Sequence, residues 1–135
     1  MPSKINKMKH LIEKAGEVVD FTYKVLEIEK TDRRDNEQVQ VRAAIGTALS
    51  KYMKPAHVAK AMGKDRTTII HYNKQHDGNL KTWKGYAEKY DVAKDVAKMN
   101  MHYATINYKI MLIDSRIDEY QNRINELELE KLNLL

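Results

Sequence analysis

The chain has 135 residues, is 42% hydrophobic and 32% charged, and carries a net charge of +5 with no cysteine. That length suits one domain or a small domain with an extension, and five Gly and two Pro are too few turn residues for a β-sandwich. Without cysteine there are no disulfides or thiolate metal sites, and no run of 18 apolar residues or signal-peptide core is present, so a protein of the reducing cytoplasm is expected.

The first expected helix covers about 4–18, where Ile5, Met8, Leu11, Ile12, Ala15 and Val19 recur at steps of three and four. Residues 20–30, "DFTYKVLEIEK", are rich in β-branched and aromatic side chains but have no second strand to pair with. They read as a short helix or an extended connector. "TDRRDNE" is a polar loop, and Asp35 or Asn36 is placed to cap the helix that follows.

That helix is expected over about 37–53, with Val41, Ala44, Ile45, Ala48, Leu49 and Tyr52 on one stripe. Pro55 suits the first turn of another helix, because its missing N–H is not needed there. "AHVAKAM" then turns Val58, Ala59 and Met62 inward, and Gly63 is a left-handed cap. Asp65 or Thr67 would cap the next helix, expected to run to His76 with Ile69, Ile70 and Asn73 inward and a break at "DGN", 77–79. A short helix, a tight Gly turn and a second helix make the layout of a helix-turn-helix.

From about residue 80 a further helix is expected, with Leu80, Trp83 and Ala87 on one side. No Gly or Pro occurs from 86 to 135, and the apolar residues fall on a heptad. Ile110, Ile117 and Ile124 occupy a positions; Ile106, Ile113, Tyr120, Leu127 and Leu134 occupy d positions. In a parallel pair Lys109 would meet Asp114 and Arg123 would meet Glu128. The other reading is a long helix folded back on the N-terminal domain, but the stripe continues for about 40 Å, more than a domain of this size covers. The expected organisation is all-α: a helix-turn-helix domain over 1–80, then a helical region over 81–135 with a coiled coil from about 103, forming a homodimer.

Charge is not spread evenly. Residues 1–80 hold 15 Lys/Arg against 10 Asp/Glu, whereas 81–135 hold nine of each. Between 51 and 76 lie Lys51, Lys54, Lys60, Lys64, Arg66 and Lys74 against the single acid Asp65. A focused basic region is the footprint of a polyanion binder, although a basic face can also serve solubility alone. Read as a recognition helix, "GKDRTTIIHY" (63–72) offers Arg66 for guanine O6 and N7 and Asp65 for the cytosine amino group. Thr67 and Thr68 suit a base, a phosphate or a thymine methyl. His71 and Lys74 lie along the same exposed side, and Lys64 in the turn suits a phosphate.

The same stretch resembles the signature of the C-terminal DNA-binding domain (domain IV) of the bacterial replication initiator DnaA. That family reads Gly-(Gly)-Lys/Arg-Asp-His-Thr-Thr-Val-Leu-His-Ala, and Asp65, Thr67, Thr68 and His71 match it identically. "RAAIGTALSKY" from Arg42 resembles the family's preceding helix, and Pro55 to Gly63 its first motif helix. The resemblance stops at about residue 80. It implies double-stranded DNA as partner, with the signature helix in the major groove and Asp65, Thr67, Thr68 and His71 on bases or phosphates. It also implies a minor-groove arginine, either Arg42 or Arg34, and a place on the bacterial nucleoid. Arg66 departs from the family's His, so the initiator's own box is not the expected target.

None of the five glycines forms the G-x-x-x-x-G-K-[ST] loop of the initiator's ATPase. No cofactor, metal or catalytic residue is expected. His71 and His76, five apart, fall on different faces of a helix, and no nucleophile–base arrangement or carboxylate pair in an apolar context is visible. The alternative to a DNA reader is a coiled-coil interaction or adaptor protein that keeps a DnaA-like scaffold.

Overall fold

The computed structural model describes residues 4–135, with side chains from Lys7 onward, so the expected core position Ile5 lies outside the described side chains. The described chain is all-α: α1 (Lys4–Leu26), α2 (Asn36–Leu49), α3 (Pro55–Met62), α4 (Arg66–Thr82) and α5 (Tyr86–Leu134).

α1 continues through the stretch whose composition is ambiguous. Its inward residues Ala15, Val18, Val19, Thr22 and Tyr23 are buried. The buried Thr22 hydroxyl donates back to the Val18 carbonyl at 2.7 Å. The helix ends because Glu27 adopts a left-handed conformation, φ 57°, and the Ile28 N–H closes back on Tyr23 O at 3.1 Å.

α2 is the central helix. Asp35 caps it, its side chain accepting from the Gln38 N–H. From Val41 to Leu49 every residue is buried, so the helix is covered on all sides by α1, α4 and α5. It stops at Leu49, earlier than expected, and Tyr52 sits exposed in the following turn. Gly46 lies where α4 comes closest: a Cβ there would be 2.8 Å from Cδ2 of Tyr72.

Pro55 begins α3 and Gly63 ends it in the left-handed region, φ 65°, as the sequence predicts. The break expected at Asp77–Asn79 does not occur. Gly78 is an ordinary helical residue, and α4 runs on to Thr82. The chain reverses at Trp83–Gly85 instead, where Gly85 has φ 91°. Gln40 fixes this turn: its Nε2 donates to Lys84 O at 2.8 Å, and Lys89 Nζ donates to its Oε1 at 2.9 Å. Leu80 and Ala87 are therefore not partners on one helix face with Trp83.

The core does not end at residue 80. Tyr86, Tyr90, Ala93, Ala97, Met101, Ala104 and Tyr108 on the first half of α5 are buried, most of them against α1 and α2. Tyr86 carries the junction with α4: its hydroxyl lies 2.6 Å from His76 Nδ1, and burial pushes its own pKa up to about 12. Beyond Tyr108 burial gives out: Leu112 and Ser115 are half-buried, 116–134 are exposed throughout, and 109–134 extend for about 39 Å at 1.5 Å per residue. The exposed residues there include Ile110, Ile113, Ile117, Tyr120, Ile124 and Leu127; Ile106, at the edge of the body, is also exposed.

Candidate nucleic-acid interface

The turn between α3 and α4 is built from backbone rules. Lys64 N–H closes onto Ala59 O at 2.9 Å across the left-handed Gly63. A Cβ at Gly63 would meet nothing within 4 Å, so the positive φ, not space, is what calls for glycine. Asp65 then returns to an extended conformation and takes the capping position. Its carboxylate makes no capping hydrogen bond; its carbonyl accepts from Thr68 and Ile69. Thr67 lies inside the helix rather than at its cap. The expected side-chain cap at Asp65 or Thr67 is thus not made, and both side chains stand in solvent.

The residues of α4 divide by helical period. Ile69, Tyr72, Asn73 and His76 turn toward the body, with Ile69 fully buried. Tyr72 packs over Gly46 and its hydroxyl pKa is raised by burial. Asn73 donates to Ser50 Oγ at 3.1 Å. On the other side Thr67, His71 and Lys74 are exposed in a row, with Arg66 exposed beside them and Thr68 and Ile70 half-buried at the margin. His76 lies among Tyr86 and Tyr90, apart from the row.

The second wall of the site is the 27–35 loop, and Arg42 holds it in place. Arg42 is only 8% exposed, and its guanidinium donates to Thr31 O at 2.5 Å and Arg33 O at 2.6 Å. Gln38, also buried, donates to Glu29 O at 2.6 Å and accepts from Thr31 N–H and the Tyr23 hydroxyl, each at 3.3 Å. Burial raises the Tyr23 pKa, and the neighbouring Arg42 charge opposes the rise. These contacts set Arg34, which is exposed, across a groove of about 450 Å³ from Lys64, Asp65 and Thr68.

Of the nine residues singled out for DNA, the structure brings Arg34, Lys64, Asp65 and Thr68 to one groove. Arg66, Thr67, His71 and Lys74 continue along the exposed side of α4. Arg42 lines the same groove but differs from the rest: its guanidinium is spent on two backbone carbonyls. Among the described residues, Arg34, Lys64, Arg66 and Lys74 make no ion pair, whereas the neighbouring Arg33 pairs with Asp35 at 3.5 Å. Gln38 and Gly46 also shape the site. The one sequence signal for Gln38 is a polar residue at a helical position in phase with an apolar stripe, and for Gly46 a glycine inside a helix.

Among the described residues no helix is long and apolar enough to cross a membrane. No family model matches this sequence, and no curated protein or solved structure matches it.

Proposed function

We propose that this chain is a sequence-specific double-stranded DNA-binding protein of the bacterial nucleoid that reads its site with the exposed side of α4. It would work as a homodimer through the free half of α5, in transcriptional regulation or replication control. The observation that carries the reading is the division of α4. Ile69 anchors one side in the core, and Arg66, Thr67, His71 and Lys74 stand exposed on the other.

α3, its turn and α4 then form a helix-turn-helix, and the start of α4 enters the major groove. Arg66 donates two hydrogen bonds to guanine, and Thr67 and His71 contact bases or phosphates. Lys64 and Lys74 neutralise phosphates, and the positive end of the α4 dipole adds to that attraction. Arg34, aimed across the groove, takes the flanking backbone or minor-groove contact, while Arg42 positions it. The likeness of 63–72 to the DnaA signature supports the same assignment, and Arg66 in place of the family's His points to a guanine-containing site of its own.

Selection of bound duplexes from a random-sequence pool at moderate salt tests this. A motif should be enriched, and Arg66→Ala should cost about 1–3 kcal/mol and relax preference at one position. Recovery of no motif overturns the reading. The exposed apolar face of α5 favours a second reading, an adaptor acting through its coiled coil. That reading gains if Arg66→Ala with Thr67→Ala leaves activity intact while Ile117→Asp abolishes it.

A further inference from the structure

α5 carries two apolar stripes on nearly opposite sides. One, including Tyr90, Ala97, Met101 and Ala104, is buried in the body. The other starts at Val96 and recurs at steps of three and four through Met99, Tyr103 and Ile106 into the tail. At 100° per residue the two are about 150° apart, so where both are present packing against the body half-buries Val96 and leaves the rest of the second stripe, from Met99, exposed. Met99 is 65% exposed and Tyr103 61%, and Ile117 in the tail is 50% exposed.

The stripe does not end at a wall. α1 runs beside it and contributes Phe21 and Val25, 52% and 57% exposed. With Val96, Met99 and Tyr103 they line a groove of about 460 Å³. This groove is continuous with the heptad face: Met99 stands one heptad before Ile106, and Tyr103 one heptad before Ile110.

We infer that a second copy of this chain lies along the whole stripe, parallel and in register, from the α1–α5 groove to the end of the tail. This takes from the proposed function the premise that α5 self-associates and adds the orientation and the extent. The charges beside the stripe identify the occupant. The g positions carry Lys109, Arg116, Arg123 and Glu130, and the e positions carry Asp114, Gln121 and Glu128.

In a parallel pair each g residue faces the e residue five places on in the other copy, giving Lys109–Asp114, Arg116–Gln121 and Arg123–Glu128. In an antiparallel pair g faces g and e faces e; centred on the tail this sets Arg116 against Arg123 and Asp114 against Glu128, with only Lys109 and Glu130 in attraction. The pattern is therefore self-complementary in one orientation, as an isologous interface requires. The seam from Val96 to Leu134 spans about 57 Å at 1.5 Å per residue. Because it begins on the body, the two α4 helices are held at one separation rather than swinging on free tails. A duplex with two half-sites at one spacing is the matching ligand.

The chain has no cysteine, so single-cysteine variants give an unambiguous test. Met99→Cys and Ile113→Cys place a thiol at d positions in the groove and in the tail, where the two copies of a parallel in-register pair meet. Ser115→Cys places it at an outer position. The full-length variants are mildly oxidised without DNA and run on non-reducing gels, and the unmodified chain is sedimented. The expected result is a disulfide-linked dimer from Met99→Cys and Ile113→Cys, little from Ser115→Cys, and a mass twice the 15.8 kDa of the chain.

Cross-linking at Ile113→Cys but not at Met99→Cys would overturn the extension onto the body. No cross-link at Ile113→Cys, equal cross-linking at Ser115→Cys, or a mass of one or three chains would overturn the parallel pair. None of these readouts involves DNA, so they stand or fall separately from the DNA-binding selection.

Discussion

Replacing Arg42 with Met keeps an unbranched stem of similar reach and removes the two charge-assisted hydrogen bonds to Thr31 O and Arg33 O. Hydrogen bonds to charged groups contribute about 1.5–3 kcal/mol each, so the pair sets an upper range of about 3–6 kcal/mol. The loop lies at the surface and its freed carbonyls can take up water, which brings the expected loss down to about 2–4 kcal/mol. In a urea titration at fixed protein concentration this is a midpoint lower by about 1–2.5 M, for a slope of about 1.5–2 kcal/mol/M.

Arg34→Ala, at an exposed side chain without an ion pair, should leave stability within about 0.5 kcal/mol. It should weaken DNA binding and flatten the salt dependence by about one phosphate contact. If Arg42 acts on DNA only by holding Arg34, the double variant binds no worse than Arg42→Met alone. An Arg42→Met protein as stable as the parent, yet impaired on DNA, would refute this assignment and return Arg42 to the interface.

Two further outcomes follow from the body of the fold. Gly46→Ala should lower stability by about 1–2 kcal/mol despite Ala's better helix propensity, because its Cβ would fall 2.8 Å from Tyr72 Cδ2; a thermal melt at or above the parent's would show that α2 and α4 can separate freely. His76 has its pKa lowered from 6.5, chiefly by burial, with Asp77 opposing and Lys51 adding to the effect. The unfolded chain therefore protonates this histidine first, so the stability it contributes is present above pH 6.5 and lost as pH falls through the folded value. The stability gap between the parent and His76→Gln should shrink from pH 8 to pH 5, and a constant gap would mean that protonation costs the α4–α5 junction nothing.

Features set by local backbone chemistry were legible in the sequence. Pro55 at the start of α3, Gly63 at its end and Asp35 before α2 each act within a few residues of themselves. Features decided by tertiary packing were not. Phe21–Tyr23 read as ambiguous because their propensity is weakly helical, yet burial of Thr22 and Tyr23 holds them in α1. "DGN" read as a break because glycine costs a helix about 1 kcal/mol, but the reversal needs a positive φ, and the chain takes it at Gly85, where Gln40 holds the turn. Arg42 could not be told from a reading arginine, because its partners are carbonyls in an aperiodic loop nine and 11 residues upstream.

The period of each stripe on α5 explains how one helix serves both body and tail. The body-facing residues repeat every 11 positions, from Tyr86 through Ala97 to Tyr108, or about 3.67 residues per turn. The outer stripe repeats every seven, or 3.5 per turn, from Met99 to Leu134. The first period stays in phase with an almost straight helix lying on α1 and α2. The second stays in phase only if the helix winds left-handed about a partner. The 11-residue pattern gives out after Leu112 and Ser115, which are half-buried, and only the heptad continues beyond them. A tail folded back on the body would be expected to continue the first period; the change of period supports the second helix alongside that we propose.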